Sequence, residues 1–227
     1  MGKNIINKPA FYRFTVLKEG LVTSKDNKWK MRRKMIEPFF ASKQQRVFLP
    51  TIDQVFDSMV KSEFVKLSDK GKPVTLSDQI HSTTCDIILN VTLNIPIEGK
   101  KEDKIHIIDT IDLREMIMMR RIFNPLLWID GIFCKTELGK NSVQMTERFY
   151  DFFESSVEQV LGDNSARIQS NGIKESPSVN DLVNTLMKTG NGKIDLQGIS
   201  EEVLTTVSAG HETTATALNW TLFVLGK

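Results

Sequence analysis

The segment Ser208 to Trp220, SAGHETTATALNW, holds the residues whose types and spacing best suit chemistry. It lies inside a long apolar-periodic stretch that predicts a helix, yet it carries Gly210 in its middle beside a cluster of threonines. Gly costs about 1 kcal/mol relative to Ala inside a helix, and Thr loses rotamer freedom there. This composition therefore points to a requirement other than helix stability.

A zinc site is the first chemistry that this segment suggests. His211 followed by Glu212 begins the zinc-protease pattern His-Glu-x-x-His. That pattern needs a second histidine four residues after the first, and Ala215 occupies the position. The zinc interpretation is therefore excluded.

A cavity wall is the second interpretation of the same segment. Ala209 and Gly210 remove side-chain bulk, so a flat or bulky group could approach the backbone closely. Thr213 lies four residues after Ala209 on the same face, where its hydroxyl can bond to the Ala209 carbonyl or turn towards a ligand. Glu212 adds an acid beside this alcohol, which suits proton transfer. The alternative is that the two small residues only let another helix pack closely.

A second segment, NKWKMRRKMIEPFF, carries a tryptophan and a basic cluster. Trp29 and Arg33 are four residues apart on one helix face, so an indole N-H and a guanidinium can converge on one anionic group. Arg32 and Lys34 flank this pair. The alternatives are a solvated basic face with one half-buried Trp, and nucleic-acid binding, which a single cluster supports only weakly.

Both segments are predicted to lie on helices. The alternation of apolar and polar residues that is typical of strands is scarce and limited to short pieces near Thr15 and Val74. Asp26 or Asn27 is expected to cap a helix that begins at Lys28 and ends before Pro38. The other predicted helices begin at Thr51, follow Ser77, span 105–123, 136–161 and 181–188, and begin at Asp195 or Ser200. The run from 162 to 180 is rich in Gly, Ser, Asn and Pro, which predicts a surface loop. The fold class is therefore mainly α.

Composition narrows the function classes further. The 227 residues are 40% hydrophobic and 26% charged, as in ordinary globular proteins of one or two domains. Thirty basic and 28 acidic residues leave a net charge of +2, too small for a polyanion-binding protein. Two cysteines are too few for a disulfide scaffold or a cysteine-rich zinc site, and they favour a reducing compartment. No apolar run long enough for a membrane span or a signal peptide is evident.

The two motifs together resemble the cytochrome P-450 superfamily, the haem-thiolate monooxygenases. Trp-x-x-x-Arg is followed about 180 residues later by A-G-x-E-T-T. The stretches KPAFYRFTVLKEGLVTSKDNKWKMRRKMIEPFF and ISEEVLTTVSAGHETTATALNW are most similar to the microsomal fatty-acid hydroxylase clan that is expanded in insects. The resemblance implies one partial P-450 domain over residues 1–227, from the loop before the Trp helix through a long oxygen-binding helix near the C-terminus.

This resemblance also implies a haem cofactor and residues that bind it. Trp29 and Arg33 match the positions that contact a haem propionate, and Ala209 and Gly210 match positions that face the haem and substrate. Many members of the clan carry Glu at the position of Ala209, and that Glu can form an ester with the haem. Ala209 cannot form the ester, so the resemblance implies a haem held without that covalent bond.

The implied catalytic pair is Glu212 as the acid and Thr213 as the alcohol that steers protons to dioxygen. The implied partners are a lipophilic small-molecule substrate, a cytochrome P-450 reductase that passes on electrons from NADPH, and a membrane surface in the full-length parent, with no nucleic acid. The implied location is the cytosolic face of the endoplasmic reticulum membrane, although the chain is expected to carry no anchor of its own.

The later family motifs are not found in the sequence. None of the nine arginines has a Glu three residues before it, and Cys85 and Cys134 lack the Phe and Gly neighbours of the haem-ligating loop. Both cysteines are predicted to be core or surface thiols rather than metal ligands. We therefore expect an internal fragment that lacks the anchor and the haem Cys region and is inactive alone. The competing interpretation is a non-catalytic helical protein, degenerate or truncated, that binds no haem.

Overall fold

The structure is a computed structural model that describes residues 8–15, 17–61, 76–94, 101–171 and 181–226. These residues form helices joined by turns and short connections, and no strand occurs among them, so the mainly α prediction is confirmed. The α-helices are α1 (Asp26–Ile36), α2 (Ser42–Met59), α3 (Ser77–Leu93), α4 (Lys101–Phe123), α5 (Asp130–Phe133), α6 (Glu137–Asn171), α7 (Leu182–Gly190) and α8 (Leu196–Leu225). Short 3-10 helices cover Ala10–Phe14, Glu37–Phe40 and Pro125–Trp128.

Side-chain caps explain where two of these helices begin. The Asp195 carboxylate accepts a 2.9 Å hydrogen bond from the Gly198 N-H, and Asp181 accepts one of 2.7 Å from the Asn184 N-H. Each bond satisfies a backbone donor that has no partner inside the helix. The expected start of α8 at Asp195 is confirmed. At α1 the expected cap was wrong, because the helix begins at Asp26 after Lys25, which makes no side-chain capping bond.

The longest helices extend beyond their predicted ends. Helix α6 runs through Asn171, so the loop predicted from residue 162 is helical at its start, and residues 172–180 lie outside the described part of the chain. The single Gly162 costs only about 1 kcal/mol, which a 35-residue helix tolerates. Helix α2 begins nine residues before the expected Thr51 and contains Pro50. Thr15 follows a 3-10 helix rather than a strand, and Val74 is outside the described residues.

Helix α8 lies at the centre of the core, and α3 and α6 make the most extensive contacts with it. From Glu201 to Val207 every residue of α8 is buried, so this part of the helix is enclosed on all sides. Its partners on α3 and α6 are fully buried apolar side chains: Cys85, Leu89, Phe149, Phe153 and Val157. Cys85 is thus a core thiol, as predicted, and Cys134 is exposed.

The last turns of α8 have a different environment. Trp220, Phe223 and Leu225 are 64%, 56% and 76% exposed, so the apolar surface of this end has no cover among the described residues. None of the helices in the described ranges combines the length and the apolar composition that a bilayer crossing requires.

We expect Leu204→Ala to lower the free energy of unfolding by about 2–5 kcal/mol, because Leu204 is 1% exposed in α8 and truncation leaves a cavity. The matched control is Leu49→Ala in α2, where the side chain is 53% exposed and the change stays within about 0.5 kcal/mol. Urea unfolding followed by circular dichroism measures both. Equal losses for the two variants would contradict the central position of α8.

Candidate functional site

One side of α8 opens after the enclosed turns. Ala209 and Thr213 are both exposed, four residues apart, and so share this open face. The Thr213 hydroxyl donates a 2.8 Å hydrogen bond to the Ala209 carbonyl, one of the two orientations expected from the sequence. Because the hydroxyl hydrogen is engaged by the backbone, the Oγ1 lone pairs remain able to accept a hydrogen bond from a ligand or water.

Gly210 faces a neighbouring helix instead. A Cβ added to Gly210 would lie 2.8 Å from Cδ1 and 3.0 Å from Cγ1 of Ile88 in α3. Helices α3 and α8 therefore approach each other closely at this point, and any larger residue would have to displace the Ile88 side chain. This contact supports the close-packing alternative for Gly210, whereas Ala209 lies on the open face.

His211 links the same two helices. It is fully buried, its Nε2 donates a 3.0 Å hydrogen bond to the His81 carbonyl, and the two imidazole rings are 5.3 Å apart, edge to face. Burial, with a smaller effect of His81, lowers the pKa of His211 to about 4. The imidazole is therefore neutral at pH 7 and acts in packing.

Glu212 lies at the side of the open face, where α4 approaches α8. Burial, a side-chain hydrogen bond with Glu115 and the negative charges of Glu115 and Asp112 raise the pKa of Glu212 to about 8, and Arg114 partly opposes this rise. The raised pKa favours the protonated form of Glu212, as an acid beside Thr213 would require. Sequence reasoning proposed the acid and missed Glu115, because nothing in the local pattern of α4 marks it.

Trp29 and Arg33 lie on the exposed side of α1. Trp29 is 36% exposed and Arg33 is also exposed, and no side-chain hydrogen bond or ion pair of either is found within the described ranges. An indole N-H and a guanidinium without protein partners are suited to bind an anionic group. The structure thus leaves both donors available.

Arg32, which flanks the Trp29 and Arg33 pair in the sequence, is not part of a solvated basic face. Its side chain is buried between α1 and the start of α8, where Nη1 donates a 2.5 Å hydrogen bond to the Gly198 carbonyl. The guanidinium also lies 3.6 Å from both Glu201 and Glu202, which are buried as well. The sequence signal for this contact was the pair of adjacent glutamates, Glu201 and Glu202, in a mostly apolar stretch, because buried carboxylates need a cation nearby.

This anchor ties α1 to the first turns of α8. Glu202 also accepts a 3.1 Å hydrogen bond from the Leu21 N-H, so the loop before α1 is held at the same point. Burial raises the pKa of Glu202 to about 7, against the opposing effect of the Arg32 charge. Gly198 is required here, because a Cβ would lie 2.3 Å from Arg32 Nη2.

The two groups of predicted site residues do not contact each other directly. Arg32 meets α8 at residues 198–202, whereas Ala209 and Thr213 lie 7 and 11 residues beyond Glu202. At 1.5 Å per residue the gap is about 10–16 Å along the helix. Only a large ligand could touch both groups at once.

An open cavity of about 930 Å³ lies between the loop before α1, helix α6 and the first turns of α8. Its lining is mixed, about equally polar and apolar, and includes Tyr12, Leu17, Lys28 and Tyr150. None of the predicted site residues lines it, so this cavity is separate from the open face of α8.

Comparison with known proteins decides the family. The cytochrome P450 family model matches residues 3–227. The chain belongs to the cytochrome P450 family. Human cytochrome P450 4V2 is 28% identical over 98% of this P450 chain, and the probable cytochrome P450 4aa1 of Drosophila melanogaster is 25% identical over 98%. The chain spans 44% and 43% of these two proteins, which is less than half their length.

The fold agrees with this family. The crystal structure of the cytochrome P450DA heme domain superimposes with a TM-score of 0.71 at 16% identity, covering 96% of this P450 chain and 44% of that one. The expected partial P-450 fold is thereby confirmed. P450 membership and fold imply a haem iron cofactor, with NADPH as the usual electron source. Trp29 and Arg33, whose donors have no partner in the part of the chain that the structure describes, and the small exposed Ala209 fit such a group.

We expect Arg32→Met to lower the free energy of unfolding at pH 8 by about 3–5 kcal/mol, because buried Glu202 loses its cation and Glu201 keeps only Lys28, 3.6 Å away. The folded-state pKa of Glu202 is raised above its unfolded value, so protonation of Glu202 favours the folded state at low pH. The loss should therefore be smaller at pH 5 than at pH 8. Exposed Lys34→Met on the same helix is the control. Urea unfolding at both pH values is the measurement. An equal loss of unfolding free energy at pH 5 and pH 8 would contradict the pairing of Arg32 with Glu202.

Proposed function

We propose that residues 1–227 form part of the domain of a haem-thiolate monooxygenase. The whole protein would insert one oxygen atom from dioxygen into a lipophilic substrate, with electrons from NADPH delivered by a cytochrome P-450 reductase. The observation that carries this proposal is the open face of α8, where Ala209 and Thr213 are exposed and Glu212, whose pKa is raised, adjoins Thr213. Because the chain spans less than half of its relatives, the activity is proposed for the whole protein.

In this proposal α1 binds the cofactor through its propionates. Trp29 would donate its indole N-H, and Arg33 its guanidinium, to a carboxylate of the haem. Charge-assisted hydrogen bonds of this kind are about twice as strong as neutral ones. Arg32 would act through position only, because it is buried and both its Nη groups are directed to Gly198 and the glutamates of α8.

Helix α8 would form the wall of the reaction cavity. Ala209 leaves room for the flat cofactor and the substrate, and Gly210 keeps α3 close behind this wall. When bound, haem would supply the redox chemistry that activates dioxygen. Thr213 would accept a proton at its Oγ1 and pass one on, and Glu212 would supply protons from its protonated carboxyl.

The substrate class and the location of the whole protein are further parts of this proposal. They rest on the resemblance of both motifs to the microsomal fatty-acid hydroxylase clan, and relatives named cytochrome P450 4 in human and Drosophila agree with it. We therefore infer a lipophilic, fatty-acid-like substrate and a place at the cytosolic face of the endoplasmic reticulum membrane for the whole protein.

Thr213→Ala in the haem-loaded protein is expected to leave haem and substrate binding nearly unchanged while lowering the product formed per NADPH consumed. Electrons then go to hydrogen peroxide, because the hydroxyl no longer directs protons. The control is Thr221→Ala, which removes the same kind of 2.8 Å bond to a carbonyl four residues back on the same helix. An unchanged amount of product per NADPH consumed in Thr213→Ala would contradict the proton-transfer role of Thr213.

Trp29→Ala and Arg33→Ala should instead weaken haem retention. Each lost charge-assisted bond is worth about 1.5–3 kcal/mol, so haem dissociation constants should rise about 10- to 150-fold. Lys30→Ala, which removes another exposed cation from α1, is the control and should have little effect. Transfer of haem to apomyoglobin measures the dissociation. If Lys30→Ala and Arg33→Ala behave alike, a general basic face explains the binding better.

A further inference from the structure

The open face of α8 is carried by a helical turn that is weak in itself. Gly210 lies inside this turn, and glycine has more backbone freedom in a helix than any other residue. The Thr213 hydroxyl donates to the Ala209 carbonyl, and a bond of this kind to the carbonyl four residues back tends to bend a helix. Contacts from outside the turn are therefore needed to keep Ala209 and Thr213 in one position.

A buried stripe attaches this part of α8 to the core. Its members are three or four residues apart, so they share one side of the helix, and all are buried: Leu204, Val207, His211 and Ala215. After Val207, only His211 and Ala215 are buried among the described residues of α8. His211 is the one polar side chain of this stripe, and it is 0% exposed. It is therefore the polar attachment of α8 on this side.

The imidazole of His211 forms a hydrogen bond of defined direction. Its Nε2 lies 3.0 Å from the carbonyl oxygen of His81 in α3. A carbonyl only accepts, so Nε2 carries the hydrogen, and Nδ1 of the neutral imidazole is then an acceptor. No hydrogen-bond partner of Nδ1 is found in the described part of the chain. A leucine would avoid this buried unpaired acceptor, so packing alone does not account for a histidine here.

We propose that His211 is a positioning residue for the reaction, because its N-H on the His81 carbonyl of α3 holds in place the turn of α8 that presents Ala209 and Thr213. This inference rests on the proposed function, in which those two residues face the cofactor and the substrate. His211 lies behind the open face, about 160° around the helix from Thr213, so it acts through the backbone of α8.

The packing of α3 against α8 shows why a hydrogen bond matters here. A Cβ on Gly210 would lie 2.8 Å from Ile88 Cδ1, so the two helices are already in close apolar contact. Apolar contacts have no preferred direction, whereas a hydrogen bond is directional and so fixes the rotation of α8 about its axis. The His81 ring packs edge to face on His211, with the ring centroids 5.3 Å apart, which keeps the imidazole in its orientation.

The test compares variants of the whole, haem-loaded protein. His211→Leu removes the N-H, and His211→Met is a second variant without a donor in case leucine does not pack. His211→Gln keeps a donor nitrogen the same number of bonds from Cα. The matched control is His81→Phe, which keeps a ring and the acceptor, because that acceptor is a backbone carbonyl.

Amide hydrogen exchange, followed by mass spectrometry, measures how firmly the turn is held. Exchange over residues 209–213 is compared with exchange over residues 201–207, the enclosed part of the same helix, so that a loss of overall stability is not mistaken for a local effect. In His211→Leu the relative exchange should become about 2- to 10-fold faster, the effect of losing one hydrogen bond. His211→Gln should restore it, and His81→Phe should leave it unchanged.

Turnover gives the second measurement. In His211→Leu the product formed per NADPH consumed should fall towards the value of Thr213→Ala, with the KM for substrate unchanged. In a Thr213→Ala background the same substitution should lower it little further, because His211 acts through the turn that carries Thr213.

Unchanged relative exchange over residues 209–213 in His211→Leu would overturn the proposal. A His211→Gln variant that behaves like His211→Leu would also overturn it, since packing would then explain the effect. Faster exchange with an unchanged amount of product per NADPH would overturn the role in the reaction. The exchange measurement needs no turnover, so its failure is distinguishable from failure of the monooxygenase assignment, which the Thr213→Ala experiment tests.

Discussion

The buried pairing of Arg32 with the two glutamates of α8 is the constraint on which the arrangement of the candidate site depends. A guanidinium and two carboxylates are costly to remove from water, and in a core their opposite charges must lie close together, here 3.6 Å apart. Their geometry holds α1 against the first turns of α8. It also directs Arg32 inward, so that Trp29 and Arg33 remain exposed on the neighbouring part of the helix surface.

Helix α8 combines two environments in one continuous element. Its first half is enclosed by α3 and α6, which makes it rigid, and its second half exposes Ala209 and Thr213. A reaction surface on a rigid helix keeps its groups in place more precisely than a loop does. Gly210 lies between the enclosed half and the open half of α8. Its contact with Ile88 places α3 directly behind the open face.

Local sequence was sufficient to predict most of the long helices. Asp181 and Asp195 are capping residues whose role depends only on the next few backbone N-H groups, so both helix starts were predictable. The spacing of Trp29 and Arg33, and of Ala209 and Thr213, defines shared helix faces by the same local geometry. The ends of α2 and α6 were less predictable, since tertiary packing overrides the propensity of single Pro and Gly residues.

The roles of Arg32, Glu115 and Gly210 were decided by tertiary structure. Arg32 and Arg33 are adjacent arginines, and only the position of α8 determines that the first is buried and the second exposed. Glu115 meets Glu212 across two helices separated by nearly one hundred residues, a distance at which no local pattern carries information. Burial and charge pairing depend on which helices become neighbours, whereas capping and helical periodicity depend on residues a few positions apart. The sequence therefore determined the elements and the faces, and packing determined which charged groups became anchors, acids or exposed donors.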